Sequence, residues 1–192
     1  MFSLSSFLRK IAALVPQKCL DVPLVRQGKD YTCGNAAVES VLLYYGLDAQ
    51  EGDLIKEQKT DSQGTEIEYM RAAFKDRGFE VFEKQMGTIE EIKKFIDQDM
   101  PVVLTLQAWP DKPEPGWEAG YSNGHYVVAI GYGDEFIVFA DPSSIRMAYL
   151  TFGDLMKRWH DVGKSPDEKV IQWMLVPSGK KPMHPDKIVP ME

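Results

Sequence analysis

Cys33 is the residue of this sequence best placed for nucleophilic chemistry. It stands at the entrance of an apolar segment, in TCGNAAVESVLLYYG. A thiol attacks a carbonyl carbon only as the thiolate, which a helix N-terminus and a nearby imidazolium both favour. Free cysteine is also a common core residue. The choice between the two interpretations therefore depends on which other residues can stand beside Cys33.

His125 and Asp141 are candidates for a base and the carboxylate that orients it. His125 opens a predicted strand in GHYVVAIGY, and Asp141 ends the next strand in FIVFADP. Alone, the histidine is a structural residue and Asp-Pro is a turn. A hairpin loop of residues 132–134 would set 125 directly opposite 141. A two-residue loop would put them on opposite faces, so the chemistry requires the longer loop or a β-bulge.

Gln27 lies six residues before Cys33, on the segment that leads into the predicted helix. Its side-chain N–H and the backbone N–H of Cys33 could together donate to the oxyanion that forms when the thiolate attacks a carbonyl. A lone glutamine here is a solvated loop residue. Gln27, Cys33, His125 and Asp141 together supply an oxyanion donor, a nucleophile, a base and an orienting carboxylate.

A loop rich in Trp, Pro and Gly, WPDKPEPGWEAGYSNG, precedes His125 directly. Trp109, Trp117 and Tyr121 lie in this loop and are predicted to bind the substrate chain, because the loop is long enough to border a cleft. The alternative is that its aromatic side chains only pack the loop onto the domain. The sequence leaves these two interpretations open.

The predicted elements that position these residues are helices first and strands afterwards. A buried helix is predicted over 33–45, with Thr32 as its cap and Gly46 as its end. Thr65 with Glu68, and Thr88 with Glu91, have the spacing of capping boxes. Strands are predicted at 79–83, 101–107, 125–132, 135–140 and 169–176, and a short helix at 151–160. This order predicts an α+β fold, with helices packed on a mostly antiparallel sheet.

Composition restricts the class of protein. The chain has 192 residues, of which 44% are hydrophobic, so we expect one domain with a buried core. Two cysteines cannot form a disulfide framework, and the cysteine and histidine spacings match no zinc motif. We therefore expect no metal and no other cofactor. The net charge of -7 weighs against a nucleic-acid partner, for which a basic face is needed.

Three regions are predicted along the chain. Residues 1–20 form an N-terminal arm or short amphipathic helix, 21–176 the domain, and 177–192 an irregular tail. Arg9 and Lys10 interrupt the apolar run of the first region, so it fits neither a signal peptide nor an integral membrane span. Weak contact with a membrane surface, or a targeting role, stays open for this region. The expected location is cytoplasmic.

The motifs QGKDYTCG, GHYVVAIGY and ADP, in this order over residues 21–176, resemble the papain-like cysteine peptidases. The resemblance is greatest to the bacteriocin-processing branch, peptidase family thirty-nine, which removes double-glycine leader peptides. It implies the papain-like fold, with the cysteine helix between a helical half and an antiparallel sheet. It also implies a peptide or protein substrate and matches the family's oxyanion donor, nucleophile, base and orienting carboxylate with Gln27, Cys33, His125 and Asp141.

Two departures from the family pattern leave the substrate open. Family members commonly carry Asp directly before the cysteine, where this chain has Thr32. Better-known members are fused to a transporter ATPase, and this sequence contains no GxxxxGK[ST] motif, so we expect a free-standing cysteine peptidase. A thiol acyltransferase or deamidase would need the same four residues. A papain-like module that binds a peptide without cleaving it would not.

Overall fold

A computed structural model describes residues 15–109, 116–144, 146–165 and 167–183. Helices dominate its first half and strands its second half. In chain order, the elements are β1 (Lys18–Cys19), α1 (Cys33–Tyr44), α2 (Glu51–Glu57), α3 (Ile67–Lys75), β2 (Glu80–Lys84), α4 (Ile89–Asp97), β3 (Val102–Gln107), β4 (Gly124–Tyr132), β5 (Phe136–Ala140), β6 (Met147–Thr151), α5 (Phe152–Arg158), β7 (His160–Val162), β8 (Lys169–Ile171) and β9 (Met174–Ser178).

The main sheet is antiparallel and has the strand order β2-β9-β3-β4-β5-β6, with β1 added beside β4. A separate hairpin joins β7 to β8. Helix α1 packs against β4, the strand that carries His125. The predicted α+β class, with helices on an antiparallel sheet, is confirmed.

The core lies between α1 and the middle strands of the sheet. Every residue of β3 is buried. Its sequence, VVLTLQ, is therefore mostly apolar and alternates little between apolar and polar residues. Ten of the twelve residues of α1 are also buried. A helix that is apolar nearly all round must be covered on most sides. Cys33 therefore begins a helix that the core holds firmly.

Two predicted helix ends agree with the structure. Thr88 and Glu91 form the capping box at the start of α4, each side chain accepting from the other residue's backbone N–H. Gly46 follows α1 with a φ of +74°, a left-handed conformation that glycine adopts without a steric penalty.

Two predicted caps are wrong, because tertiary partners take the hydroxyl groups. Thr32 precedes α1, but its side chain makes no cap and instead contacts the carboxylate of Glu51. The hydroxyl of Thr65 pairs with that of Thr60, and α3 begins at Ile67 without a side-chain cap. Threonine hydroxyls therefore connect loops here, where local spacing alone predicts helix caps.

The predictions also miss four elements and merge two others. Helix α2 and strands β1, β6 and β7 were not predicted, and the strand predicted over 169–176 is divided into β8 and β9. Gln172 interrupts it with a φ of +48°, and its N–H donates to Trp159 O at 2.8 Å. An extended strand cannot continue through a residue in that conformation.

The three predicted regions stay predictions. Residues 1–14 and 184–192, which hold most of the predicted arm and tail, lie outside the described residues. Lys18–Cys19 already pairs with β4, and β9 continues to Ser178, so the sheet extends slightly into both predicted regions. In the described ranges, no helix combines the length and the apolar character that a bilayer span requires.

Candidate active site

Cys33 is buried and is the first residue of α1. The first backbone hydrogen bond of this helix runs from Ala36 N–H to Thr32 O at 3.1 Å, so the N–H groups before Ala36 lie ahead of it. Gly34 allows the close approach of the neighbouring loop, because a Cβ there would lie 2.9 Å from Thr65 Cβ. The thiol therefore sits at the positive end of a firmly packed helix.

A β-bulge places His125 and Asp141 on the same face of the sheet. Tyr132 faces Ile137, but beyond an irregularity at residues 129–131 the register has shifted by one residue. When this shifted register is extended by one residue pair, Asp141 lies opposite a residue of β4 that is two positions from His125. His125 and Asp141 are therefore on the same face of the sheet. The predicted bulge or longer loop is confirmed, whereas direct pairing of 125 with 141 is wrong. The two residues are diagonal neighbours, a separation that their side chains span.

The imidazole of His125 lies between a carboxylate and the thiol. Its Nε2 is 2.8 Å from Asp141 Oδ1, and only 2% of the residue is exposed. Burial disfavours the imidazolium, but hydrogen bonds to Asp141 and Cys33, with the negative charges of both, raise the pKa of His125 to about 9. Because Nε2 is engaged with Asp141, Nδ1 is the ring nitrogen left to interact with Cys33.

Asp141 is held in its ionised form. Burial raises its pKa, but the hydrogen bond and charge of His125, with the backbone N–H of Ser143, outweigh burial and lower it. Ser143 N–H donates to Asp141 Oδ1 at 2.8 Å. Asp141 therefore both begins a turn and places a carboxylate against the His125 ring.

Gln27 is joined to the same region through its backbone. Its N–H donates to Pro142 O at 2.9 Å, which ties the loop before α1 to the residue after Asp141. Its side-chain Nε2 donates to Lys29 O at 2.8 Å. An amide nitrogen carries two protons, and among the described residues the second N–H of Gln27 has no hydrogen-bond partner.

The three aromatic residues predicted to bind substrate lie in two places. Trp109 packs against His125, with ring centroids 4.8 Å apart, and is half exposed. Trp117 and Tyr121 instead pack against α5 and the β7–β8 hairpin, where their rings contact Arg158, His160 and Lys169. Only Trp109 is in contact with the predicted site.

Sequence reasoning missed Glu51 as part of this region. Its Oε1 accepts from Gly28 N–H and from the Thr32 hydroxyl, each at 2.7 Å. Nothing in the spacing of Glu51 from Cys33 indicates this contact. Gly28, directly after Gln27, was the one signal, because a glycine there permits close approach of another group. A Cβ on Gly28 would lie 2.4 Å from Glu51 Oε2.

Comparison with protein families identifies the family of the chain. The model of the peptidase C39-like family matches residues 19–166, a span that includes Gln27, Cys33, His125 and Asp141. The chain belongs to the peptidase C39-like family. No curated protein matches its sequence. Membership of this family supports a cysteine peptidase of the kind that the resemblance implied.

Solved structures show the same fold. The peptidase domain of Streptococcus ComA, a bifunctional ABC transporter involved in quorum sensing, is 20% identical, with a TM-score of 0.62 over 82% of this chain and 99% of that one. A C39-like peptidase described from Bacillus anthracis is 18% identical, with a TM-score of 0.65 over 85% and 98%. A double glycine motif protease from an AMS/PCAT transporter, solved with its leader peptide, is 17% identical, with a TM-score of 0.61 over 86% and 97%. The papain-like peptidase fold is therefore confirmed.

Proposed function

We propose that this member of the C39-like family hydrolyses peptide bonds through a covalent acyl-enzyme on Cys33. The observation that carries the proposal is the position of His125 between the thiol and Asp141, with a pKa of about 9. At neutral pH that imidazole holds a proton, and an imidazolium beside a thiol favours the thiolate. A thiolate–imidazolium pair is the reactive form of a cysteine peptidase.

The proposed reaction has two steps. The Cys33 thiolate attacks the peptide carbonyl, and the tetrahedral intermediate collapses as His125 Nδ1 gives its proton to the departing amine. A water molecule then attacks the thioester while His125 accepts a proton from it; the C–S bond breaks, which releases the acid and restores the thiolate–imidazolium pair. Asp141 keeps its contact with Nε2 throughout, so it orients the ring and stabilises its positive charge.

The proposed oxyanion donors are the backbone N–H of Cys33 and the free N–H of Gln27 Nε2. The first lies at the start of α1, ahead of the first helical hydrogen bond. The hydrogen bond of Gln27 to Lys29 O supports the second, because it fixes the amide while leaving one proton unused. Removing one such donor typically lowers kcat by about 10²–10³-fold.

The proposed substrate is a segment of peptide or protein. A family neighbour solved with a leader peptide supports binding of an extended chain in this fold. The proposed hydrolysis needs no partner protein or cofactor, because all four site residues lie within the matched residues 19–166. Trp109 beside His125 is the proposed aromatic contact for that substrate.

A peptide library analysed by mass spectrometry tests the proposal. We expect cleaved peptides with the native protein and none with Cys33→Ala. Cys19 provides an internal control for the thiol, because burial and Asp21 raise its pKa. At pH 6, iodoacetamide should label Cys33 and leave Cys19 unmodified. Equal labelling of both thiols, or the same cuts with Cys33→Ala, would overturn the proposed nucleophile.

A further inference from the structure

Glu51 connects the two ends of the short loop between the proposed oxyanion donor and the nucleophile. One carboxylate oxygen accepts from Gly28, the neighbour of Gln27, and from Thr32, the neighbour of Cys33, both at 2.7 Å. The Thr32 hydroxyl also accepts from Lys29 N–H at 3.1 Å. Hydrogen bonds to a charged acceptor are about twice as strong as neutral ones.

From this geometry we propose that Glu51 is a positioning residue for the oxyanion site, an inference that rests on the proposed function. It contacts neither the thiol nor His125 in the described structure; it acts through Gly28 and Thr32. Thr32 stands where the family commonly has Asp, and its hydroxyl brings the carboxylate of Glu51 to that position. Glu51, from α2, thus supplies the negative charge that family members carry on the Asp directly before the cysteine.

The proposal predicts a selective loss of turnover. Without the carboxylate, the loop of residues 28–32 loses the acceptor that fixes both ends, and Gln27 shifts relative to the carbonyl. A displacement of about 1 Å can cost about 100-fold in rate. We expect Glu51→Ala to lower kcat by about 10- to 100-fold, while KM and the rate of Cys33 alkylation change less than threefold.

Two further variants separate positioning from simple stability. Glu51→Gln retains Oε1 as an acceptor and should recover most of the lost kcat. Asp53→Ala, on the same helix, removes an exposed carboxylate whose ion-pair partner is Lys56, and should not change kcat. If Glu51→Ala fails to fold, Gly28→Ala provides the second test, because its methyl group would displace the Glu51 carboxylate.

The outcomes distinguish this inference from the proposed function. Equal kcat for Glu51→Ala and Asp53→Ala would overturn the positioning role, as would a parallel loss of kcat and Cys33 alkylation. Absence of cleavage by the native protein, with Cys33 still labelled selectively, would instead overturn the proposed peptidase. Rescue by Gln, with a loss confined to kcat, supports the role of Glu51.

A second observation concerns the cavity of about 490 Å³ beside the site. Gln27, Trp109 and Ser143 line it, and the last two contact His125 and Asp141 respectively. The leaving amine takes its proton from His125, so the part of a substrate that follows the cleaved bond departs on this side. This cavity is therefore placed to hold residues C-terminal to the cut.

The charges in this cavity favour an acidic substrate. Arg26 and Lys29 line it, Asp30 is the one acidic residue among the described residues of its lining, and within the described ranges neither cation forms an ion pair. The lining of this cavity therefore carries an excess of positive charge, whereas the chain as a whole has a net charge of -7. We infer, again resting on the proposed function, that the cavity binds Asp or Glu within the first residues after the cleaved bond.

Matched peptides that differ only by Glu, Gln or Lys after the cut test this specificity. We expect Glu peptides to exceed Gln peptides by about fivefold in kcat/KM, the effect of one exposed ion pair, and the ratio to shrink at high salt. The double variant Arg26→Glu and Lys29→Glu should reverse the preference toward Lys. Lys157→Glu, exposed on α5, should leave the ratio unchanged.

Cleavage without any difference between Glu and Gln peptides would overturn the inferred specificity and leave the peptidase intact. The same Glu preference in the double variant and in the native chain would also overturn it. Failure to cleave any peptide would count against the proposed function rather than against the charge of the cavity.

Discussion

The fold contains two histidine–aspartate combinations, His125 with Asp141 and His160 with Asp161. Only the first has the environment expected of a catalytic pair. His125 and Asp141 come from β4 and from the residue after β5, whereas His160 and Asp161 are consecutive in β7. Both histidines are buried, and each packs against an aromatic ring, Trp109 at 4.8 Å or Tyr121 at 4.6 Å. Burial and aromatic contact therefore do not distinguish them.

Their hydrogen-bond partners do distinguish them. His125 faces an ionised carboxylate and a thiol, whereas His160 Nε2 donates to the backbone carbonyl of Gly120 at 2.9 Å. Asp161 turns away from any imidazole, toward the Thr105 hydroxyl at 2.6 Å and the Gln107 amide at 3.2 Å. A neutral carbonyl can hold a ring in place, but it cannot stabilise an imidazolium as a carboxylate does.

The largest expected difference is between alanine variants of the two histidines. His125→Ala removes the proposed base and acid and should lower kcat by about 10⁴-fold or more, the scale seen when a member of a catalytic triad is removed. His160→Ala should keep kcat within about threefold of the native value. It should instead lower the free energy of unfolding by about 1–3 kcal/mol, from the lost hydrogen bond and packing.

Steady-state kinetics on each variant, with thermal unfolding of each, checks this contrast. Iodoacetamide labelling of Cys33 at pH 6 should be lost in His125→Ala and kept in His160→Ala. Loss of both activity and Cys33 labelling in a folded His160→Ala protein would show that the two histidines share one function.

The sequence was sufficient to predict that His125 and Asp141 meet on one face of the sheet, but not all the contacts around them. The order of Gln27, Cys33, His125 and Asp141 and the need for a bulge follow from residue types and strand parity, which are local properties. The tertiary partners of Thr32 and Thr65 are not local, because they depend on which loops pack together. For the same reason, the role of Glu51 and the separation of Trp117 from Trp109 could not be predicted.

A smaller difference is expected between asparagine variants of the two aspartates. The pKa of His125 is about 9, so peptide hydrolysis should fall as the pH rises through that value and the proton for the leaving amine is lost. Asp141→Asn keeps an acceptor for Nε2 but removes the negative charge, so this limb of the pH profile should shift toward 6.5. At pH 9, a limb moved fully to 6.5 would leave the variant about 100-fold less active than the native protein.

Asp161→Asn should leave that limb unchanged, because Asp161 does not contact His125. Burial raises the pKa of Asp161 above 3.8, so its charged form is disfavoured in the folded state. The neutral carboxyl of Asp161 therefore contributes its whole stabilisation of the folded state below pH 3.8. That stabilisation is lost as the pH rises through the raised pKa of Asp161. Activity and melting temperature measured from pH 4 to pH 10 would test both variants, and a shifted limb in Asp161→Asn would contradict the assignment.

The smallest expected effects concern the two aromatic residues that pack against these histidines. Trp109 is half exposed at the proposed cleft, so Trp109→Ala should raise KM or lower kcat by about tenfold or less, with little change in melting temperature. The ring of Tyr121 lies 3.7 Å from Lys169 Nζ as well as against His160. Tyr121→Ala should therefore cost about 1–2 kcal/mol of stability, or a few degrees in melting temperature, with kcat/KM unchanged.

Trp117 separates the two interpretations of the whole aromatic loop. Its ring lies 3.7 Å from the Arg158 guanidinium, on the same side as Tyr121, so Trp117→Ala should behave like Tyr121→Ala. Initial rates over a range of peptide concentrations, measured beside thermal unfolding curves, give both quantities for each variant. If Trp117→Ala raised KM without a loss of stability, the loop from Trp109 to Tyr121 would contact substrate along its length. The contrast between the two histidines would then no longer extend to the aromatic residues beside them.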